Sequence, residues 1–171
     1  MPNAYVASHV EDFYHVCAEV LLRLYAAFPV PELLLVEDIR GPIAWDITGI
    51  ADRKSRACFE TLIWLERYGL LTYRTCEPRN IGIEGAALTQ QGFVLLTEQI
   101  TWVSGQTQSR ISALKTARKQ LAYDDIATLI DNILRSNCSW SAPRVVTPLP
   151  TSTNVPLAEV TELSADNDYP H

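Results

Sequence analysis

The chain has 171 residues, 47% of them hydrophobic, and a formal net charge of −6 at pH 7. A chain of this length can bury one ordinary core, so we expect a single soluble domain with appendages. Its apolar runs fall far short of the roughly 18 residues that cross a membrane. The basic and apolar segments of a secretory signal are missing as well, which favours the cytoplasm.

The cysteines are spread along the chain, as Cys17, Cys58, Cys76 and Cys138. They form no CxxC pair, whereas structural zinc sites favour closely spaced ligands. We therefore expect reduced cysteines that pack in the interior, without a disulfide frame, a metal or another cofactor.

The first predicted helix opens with a capping box, in which Ser8 is followed three residues later by Glu11. Apolar residues then recur at spacings of three and four, the period of one buried helix face, until Pro29 and Pro31 stop the pattern. This stripe consists of Val10, Phe13, Tyr14, Cys17, Leu21, Leu24, Tyr25 and Phe28.

The polar side of this helix carries Asp12, His15 and Glu19, which are able to share one face. A metal site or an acid–base pair is one interpretation of such a face. Ordinary solvated helix pairs are the interpretation that we prefer.

The next segment, Glu32–Ile39, is apolar with acidic ends and fits either a short helix or a strand. The following residues, Arg40–Gly49, contain turn signals and no helical pattern. Trp45 lies in this segment, and we expect it to pack beneath the loop.

The residues Asp52–Leu96 predict the order helix, strand, turn, strand, helix. In the first of these helices, one stripe is apolar and the opposite face is charged. The apolar stripe consists of Cys58, Phe59, Leu62 and Leu65, and the charged face consists of Arg53, Arg56, Glu60 and Arg67. Gly69 follows directly, as expected for a helix end in the left-handed conformation.

A strand is then predicted over Leu70–Cys76, a turn over Glu77–Asn80 and a return strand over Ile81–Leu88. Two glycines in the return strand indicate a bulge or a weak point. Thr89 is a suitable cap for the helix that begins at Gln90.

After this unit the residues Ser104–Thr107 suggest a break in a longer helix, and two further helices are predicted over Arg110–Ala122 and Asp124–Arg135. Their apolar stripes need a partner. A second subunit, giving a homodimer, is the natural candidate, and folding back onto the same core is the alternative. Residues 137–171 are rich in Pro, Ser and Thr and lack Gly, so a mostly disordered tail is expected.

The residues Leu65–Leu71 and Leu88–Gly92, with a predicted two-stranded ribbon between them, resemble bacterial winged helix-turn-helix proteins. The resemblance covers about half of the chain and implies an α+β fold, mostly helical, with a two-stranded wing and C-terminal helices. With the C-terminal helices and the tail predicted above, the chain divides into a winged helix over residues 1–98, a helical extension over 99–136 and the tail over 137–171. The residues Arg40–Gly49 lack the pattern of the compact first helix that a helix-turn-helix usually has.

Enzymatic chemistry is not expected from the motifs. A histidine-dependent nucleophile needs a histidine within reach, and the histidines outside the predicted tail, His9 and His15, lie near the start of one helix. Neither a P-loop nor a dinucleotide-binding glycine pattern occurs.

The resemblance implies binding to double-stranded DNA and a role in transcription regulation. Although the chain is acidic, residues 52–80 carry six basic and four acidic side chains, and residues 106–121 carry only basic ones. The predicted DNA contacts come from one helix start, its later turns and the wing: Arg53, Lys54, Ser55, Arg56, Thr61, Arg74 and Arg79.

A protein–protein interaction module that does not bind DNA is the alternative. It is favoured by the net acidity, by the apolar C-terminal helices and by Ile63 and Trp64 on the predicted recognition helix. An apolar or acidic face on this helix would favour a protein partner.

Overall fold

The computed structural model describes the backbone of residues 4–101 and 105–140 and the side chains of residues 9–101 and 105–137. Within these ranges the fold is α+β, with six α-helices and small antiparallel sheets. The helices are α1 (Ala4–Ala27), α2 (Val36–Arg40), α3 (Arg53–Arg67), α4 (Gln90–Thr97), α5 (Arg110–Gln120) and α6 (Tyr123–Trp140). The strands are β1 (Glu32–Leu35), β2 (Leu71–Thr72), β3 (Thr75–Cys76), β4 (Gly82–Leu88), β5 (Gln99–Thr101) and β6 (Thr107–Ser109).

The main sheet is built around β4, which pairs antiparallel with β1 on one side and with β2 and β3 on the other. The sequence Glu32–Ile39, which fitted a helix or a strand, supplies both, because β1 leads directly into α2. The predicted strand Leu70–Cys76 is divided into β2 and β3. Opposite that division Gly85 has a φ of 69°, so a backbone irregularity falls where a bulge was one of the expected outcomes.

Both ends of α3 are specified locally. At its start the Asp52 carboxylate accepts hydrogen bonds from the backbone N–H groups of Lys54 (3.0 Å) and Ser55 (3.1 Å), as a strong N-cap does. At its end Gly69 has a φ of 80°, which confirms the predicted left-handed helix end. The N–H groups of Gly69 and Leu70 donate to the Glu66 and Leu65 carbonyls, which is the Schellman pattern.

The start of α4 is fastened to the end of α3. Thr89 accepts a hydrogen bond from the Gly92 N–H at 2.9 Å and donates to the Gly69 carbonyl at 2.7 Å. The predicted cap is therefore confirmed, and it also joins two elements. A Cβ at Gly92 would lie 2.2 Å from the Leu70 carbonyl oxygen, so only glycine fits this close approach.

Several predicted boundaries were wrong. α1 begins at Ala4, so Ser8 lies within the helix and not at its start. α6 begins at Tyr123, which places Asp124 in its first turn. The break expected at Ser104–Thr107 does not fall within a helix, because the described residues before and after it form the antiparallel pair β5–β6. Residues 102–104 lie outside the described residues.

The C-terminal helices fold back onto the rest of the chain. α6 packs against α1 and α5, and α5 also packs against α1 and α4. The apolar stripes of both helices are buried in one core with α1, α3 and the sheet. Their buried residues are Ile111, Ala113, Leu114, Ala117, Ile126, Leu129, Ile130 and Ile133. The partner that these stripes needed is therefore supplied within the chain, so they give no ground for a homodimer.

Hydrogen bonds complete this attachment. The Tyr68 hydroxyl donates to the Leu134 carbonyl at 2.8 Å, and the Asn137 amide donates to the Tyr68 carbonyl at 2.6 Å. Gln91 donates to Asn137 in turn. The last turns of α3 are thus held against α6. The tail was predicted to begin at residue 137, but α6 continues to Trp140, so this boundary was wrong. Residues 141–171 lie outside the described residues.

Candidate functional site

The first turn of α3 exposes three cationic side chains. Arg53, Lys54 and Arg56 are all exposed, and none of them forms an ion pair within the part of the chain that the structure describes. Nearby Arg40 pairs with Asp52 at 3.3 Å. Unpaired cations at a helix start are available to an anionic partner.

Two of the predicted DNA contacts are instead part of the interior. Ser55 is 2% exposed and Thr61 is 7% exposed. The Ser55 hydroxyl donates to Asp52 at 2.5 Å, and the Thr61 hydroxyl donates to the Ala57 carbonyl at 2.8 Å. Because both hydroxyls are buried and already bonded, these two residues are removed from the candidate interface.

Arg74 and Arg79 are exposed on the β2–β4 segment, which is the predicted wing. Arg79 lies in a left-handed conformation with a φ of 61°, and its guanidinium is 5.9 Å from the Trp45 ring centroid. Arg74 lies across Gly85, where an added Cβ would come within 2.8 Å of the arginine stem. The contact with Trp45 brings the turn of the wing next to the loop that leads into α3.

That loop is ordered by one carboxylate. Asp46 accepts hydrogen bonds from the Thr48 N–H (2.8 Å), the Thr48 hydroxyl (2.7 Å) and the Ile50 N–H (2.9 Å). A bridge between Trp45 and Ala51 closes the loop. Ile47 projects from its tip and is fully exposed. Trp45 was expected to pack beneath the loop, yet it is 42% exposed and faces Arg79.

Asp46 in the loop and Asp52 at the start of α3 are engaged in hydrogen bonds. The hydrogen bond from the Ser55 hydroxyl, followed by those from backbone N–H groups, lowers the pKa of Asp52 to about 2. The hydrogen bond from the Thr48 hydroxyl and that from the Ile50 N–H lower the pKa of Asp46. Arg56 contributes to the same lowering by its charge. Both carboxylates are therefore ionised and hold backbone in place.

The second basic segment does not add to this surface. Arg110 is 8% exposed and donates to Glu98 and Ser136 at 2.7 and 2.8 Å. Arg118 pairs with Glu19 at 2.7 Å. The Lys115 ammonium lies 5.4 Å from the Tyr25 ring centroid. Three of the four cations expected there therefore serve internal contacts, and the fourth, Lys119, is exposed on α5.

The polar face of α1 is likewise used for packing. Glu19 binds Arg118, and the His15 ring meets Tyr123 edge-on at 4.7 Å. Within the described ranges there is no group of three His, Cys, Asp or Glu side chains that would hold a metal ion. Asp12, His15 and Glu19 therefore do not form a group that would hold a metal ion.

The cysteines divide into two kinds. Cys17 and Cys58 are buried and unpaired, as the prediction of packing cysteines required. Burial raises the pKa of the Cys17 thiol well above its ordinary range and that of Cys58 to about 11. Cys76 is exposed, and its thiol donates to the Tyr73 hydroxyl at 3.7 Å. The Cys138 side chain is outside the described residues.

Sequence reasoning missed Asp46 and Asp52, which shape the loop and the start of α3. A signal was present, because aspartate is a preferred N-cap and its side chain commonly bonds backbone N–H groups two residues further on. None of the helices described here combines the length and apolar character that a membrane crossing needs. No family model, curated protein or solved structure matches the chain.

Proposed function

We propose that this chain is a winged-helix protein that binds double-stranded DNA and acts as a transcription regulator or a DNA-binding accessory protein. One observation carries the proposal. Unpaired Arg53, Lys54 and Arg56 are exposed at the start of α3, and the wing residue Arg79 contacts Trp45 of the loop that enters this helix. Cations on a helix start and on a neighbouring hairpin suit a duplex, because each can meet a backbone phosphate.

The order of elements supports the same proposal. A helix and a strand, β1, precede the helices α2 and α3, and the β2–β4 segment follows them. In the sheet order β1-β4-β2, β4 lies between β1 and β2. This arrangement agrees with the winged-helix resemblance of the sequence. Residues 41–52 contain no helix, so α2 is the element that would stand before the recognition helix.

The distribution of charge supports the proposal despite a net charge of −6. On α3 and the β2–β4 segment, five of the predicted contact cations are exposed, whereas the exposed acids there are Glu60 and Glu84. Glu19 and Glu98 neutralise arginines elsewhere in the structure. Asp46 and Asp52 are bonded to the backbone around α3. A local excess of unpaired cations attracts a polyanion even when the whole protein is acidic, because charges beyond about 10 Å are screened at 0.1 M salt.

A salt titration tests the proposal. Binding of the protein to a random duplex is measured by fluorescence anisotropy from about 50 to 200 mM salt. If the five exposed cations neutralise five phosphates, the slope of log K against log salt is about −4.5. The Arg53→Ala/Arg56→Ala variant is expected to bind more weakly with a slope smaller in magnitude by about 2.

The Lys119→Ala/Arg135→Ala variant serves as the control. It removes the same charge from exposed positions on α5 and α6, so its slope should equal that of the unmodified protein. Equal losses of DNA affinity in both variants would mean that binding follows overall charge. An absence of binding at about 50 mM salt would refute the proposal, since non-specific DNA contacts are strongest at low salt.

A protein partner remains the second candidate, and the loop before α3 favours it. Ile47 and Ile50 are exposed together with Trp45, at 105%, 51% and 42%, in a loop that Asp46 holds in shape. An apolar tip of this kind suits a hydrophobic pocket on another protein. If DNA does not bind, an Ile47→Asp variant is the one expected to abolish partner binding without unfolding the chain. A homodimer is not part of either candidate.

A further inference from the structure

A cleft of about 430 Å³ lies between α1 and α3, and neither DNA binding nor the core requires it. From α3 it is lined by residues one helical turn apart, which are Arg53, Ala57 and Thr61 with the adjacent Lys54 and Cys58. The remaining lining residues come from α1, from α2 with Ile39 and Arg40, and from α5 with Arg118. A volume of this size falls within the roughly 300–1,000 Å³ of small-molecule sites.

The floor of the cleft is apolar. Val16 and Cys58 are 8% and 2% exposed, and Phe13 and Ile39 contribute partly buried surface beside them. Burial raises the pKa of the Cys58 thiol to about 11, which agrees with a poorly hydrated floor. The Thr61 hydroxyl is already bonded to the Ala57 carbonyl. The floor therefore offers contact area and few free polar groups.

The rim has an excess of positive charge at one end. Arg118 and Arg40 are neutralised by Glu19 and Asp52. Arg53 and Lys54 have no ion-pair partner among the described residues, and both line the cleft. Asp12 is the remaining acid in the lining, so two unpaired cations face one carboxylate. An anionic group is therefore favoured beside α3.

We propose that this cleft binds a small organic acid, with its apolar body on Phe13, Val16 and Ile39 and its carboxylate at Arg53 and Lys54. The site is an apolar pocket with a few charged groups on one side, which is the usual design of small-molecule sites. Binding of the acid is independent of the proposed function.

One consequence does rest on the proposed function. Arg53 and Lys54 line the cleft and also belong to the candidate DNA surface. A carboxylate that neutralises them removes two of the cations offered to phosphates, so the acid acts as an effector that weakens DNA binding. By linkage, DNA weakens binding of the acid by the same factor.

The experiment uses 2-naphthoate and its uncharged analogue 2-naphthamide, titrated into the full chain by calorimetry in the absence of DNA. A charge-assisted hydrogen bond predicts that the carboxylate binds at least about tenfold more tightly than the amide. Ala57→Leu fills the exposed wall position without disfavouring the helix and is expected to abolish binding. Lys54→Gln should reduce the preference for the carboxylate several-fold, whereas Lys119→Gln on α5 should leave it unchanged.

The site is refuted if 2-naphthoate does not bind with a Kd below about 1 mM. It is also refuted if the amide binds equally well, or if Ala57→Leu binds 2-naphthoate as tightly as the unmodified chain does. In a second arm, 2-naphthoate is expected to raise the apparent Kd for duplex DNA in the unmodified chain and not in Ala57→Leu. Acid binding without this rise supports the cleft and refutes the competition. Failure of DNA binding itself leaves the calorimetric result intact, so the two proposals fail separately.

Discussion

The two ends of α3 are built in opposite ways. At the C-terminal end Tyr68 is bonded to α6 through Leu134 and Asn137, and Trp64 packs against Phe13 and Tyr68 at centroid distances of 5.2 and 4.5 Å. At the N-terminal end Arg53 and Arg56 are exposed and form no ion pair within the described chain. A helix that is fixed at one end can hold charged groups at its other end in a defined position.

The apolar residues of α3 keep the protein-partner hypothesis open. Ile63 is partly buried against the core, and Trp64 stays 36% exposed although it packs against Phe13 and Tyr68. The loop that precedes α3 adds further exposed apolar side chains. The surface open to a partner therefore includes the N-terminal half of α3 with that loop and the wing.

The largest difference between the two ends is expected in stability. Leu65 is fully buried near the C-terminal end, so Leu65→Ala should lower the free energy of unfolding by about 2–5 kcal/mol through lost transfer energy and a cavity. Lys54→Ala at the exposed end should change it by less than about 0.5 kcal/mol. Urea denaturation followed by circular dichroism measures both, and equal effects would contradict the comparison.

A smaller effect is expected where α4 meets the end of α3. A Cβ added by Gly92→Ala would lie 2.2 Å from the Leu70 carbonyl oxygen, which forces backbone to move at a cost of about 1–3 kcal/mol. The exposed neighbour Gln90 provides the control, because Gln90→Ala preserves helix propensity. A Gly92→Ala protein as stable as the Gln90→Ala protein would show that this contact does not fasten the two helices.

The smallest effect concerns the N-cap. Asp52→Ala removes the hydrogen bonds to the backbone of Lys54 and Ser55 and should cost about 0.5–2 kcal/mol at pH 7. Because the pKa of Asp52 is lowered from 3.8 to about 2, the charge-dependent part of its contribution is present above pH 3.8 and is lost as the pH falls toward 2.

The matched variant Asp52→Asn keeps a capping side chain without the charge. The stability difference between the unmodified protein and this variant should be constant from neutral pH to about pH 5 and shrink below pH 4. Urea denaturation at several pH values measures this difference. A stability difference that grows as the pH falls would contradict the lowered pKa of Asp52.

Much of α3 and its neighbours follows from local rules. The apolar spacing of Cys58, Leu62 and Leu65, the glycine at position 69 and the threonine at position 89 each specify a feature without reference to distant residues. The same spacing contained a signal that was missed. Ser55 lies three residues before Cys58, and Thr61 lies three residues after it, so both fall on the buried side of the helix.

Other features depend on tertiary context. An apolar stripe on α5 or α6 indicates that a partner is needed but does not indicate which one, so folding back and dimerisation look identical in sequence. The β5–β6 hairpin has polar strands, Gln99–Thr101 and Thr107–Ser109, without the alternation that predicts a strand. The pairing of Arg110 and Arg118 with Glu98 and Glu19 likewise joins residues that are distant in sequence or belong to different elements.

The central claim is that DNA is bound by the N-terminal half of α3, the preceding loop and the wing. Amide hydrogen exchange of the full chain, with and without saturating duplex DNA at low salt, tests it most directly. The account predicts slower exchange confined to residues 44–56 and 73–85, and no slowing in Arg53→Ala/Arg56→Ala. Unchanged exchange throughout, or protection centred on α5 and α6, would contradict it.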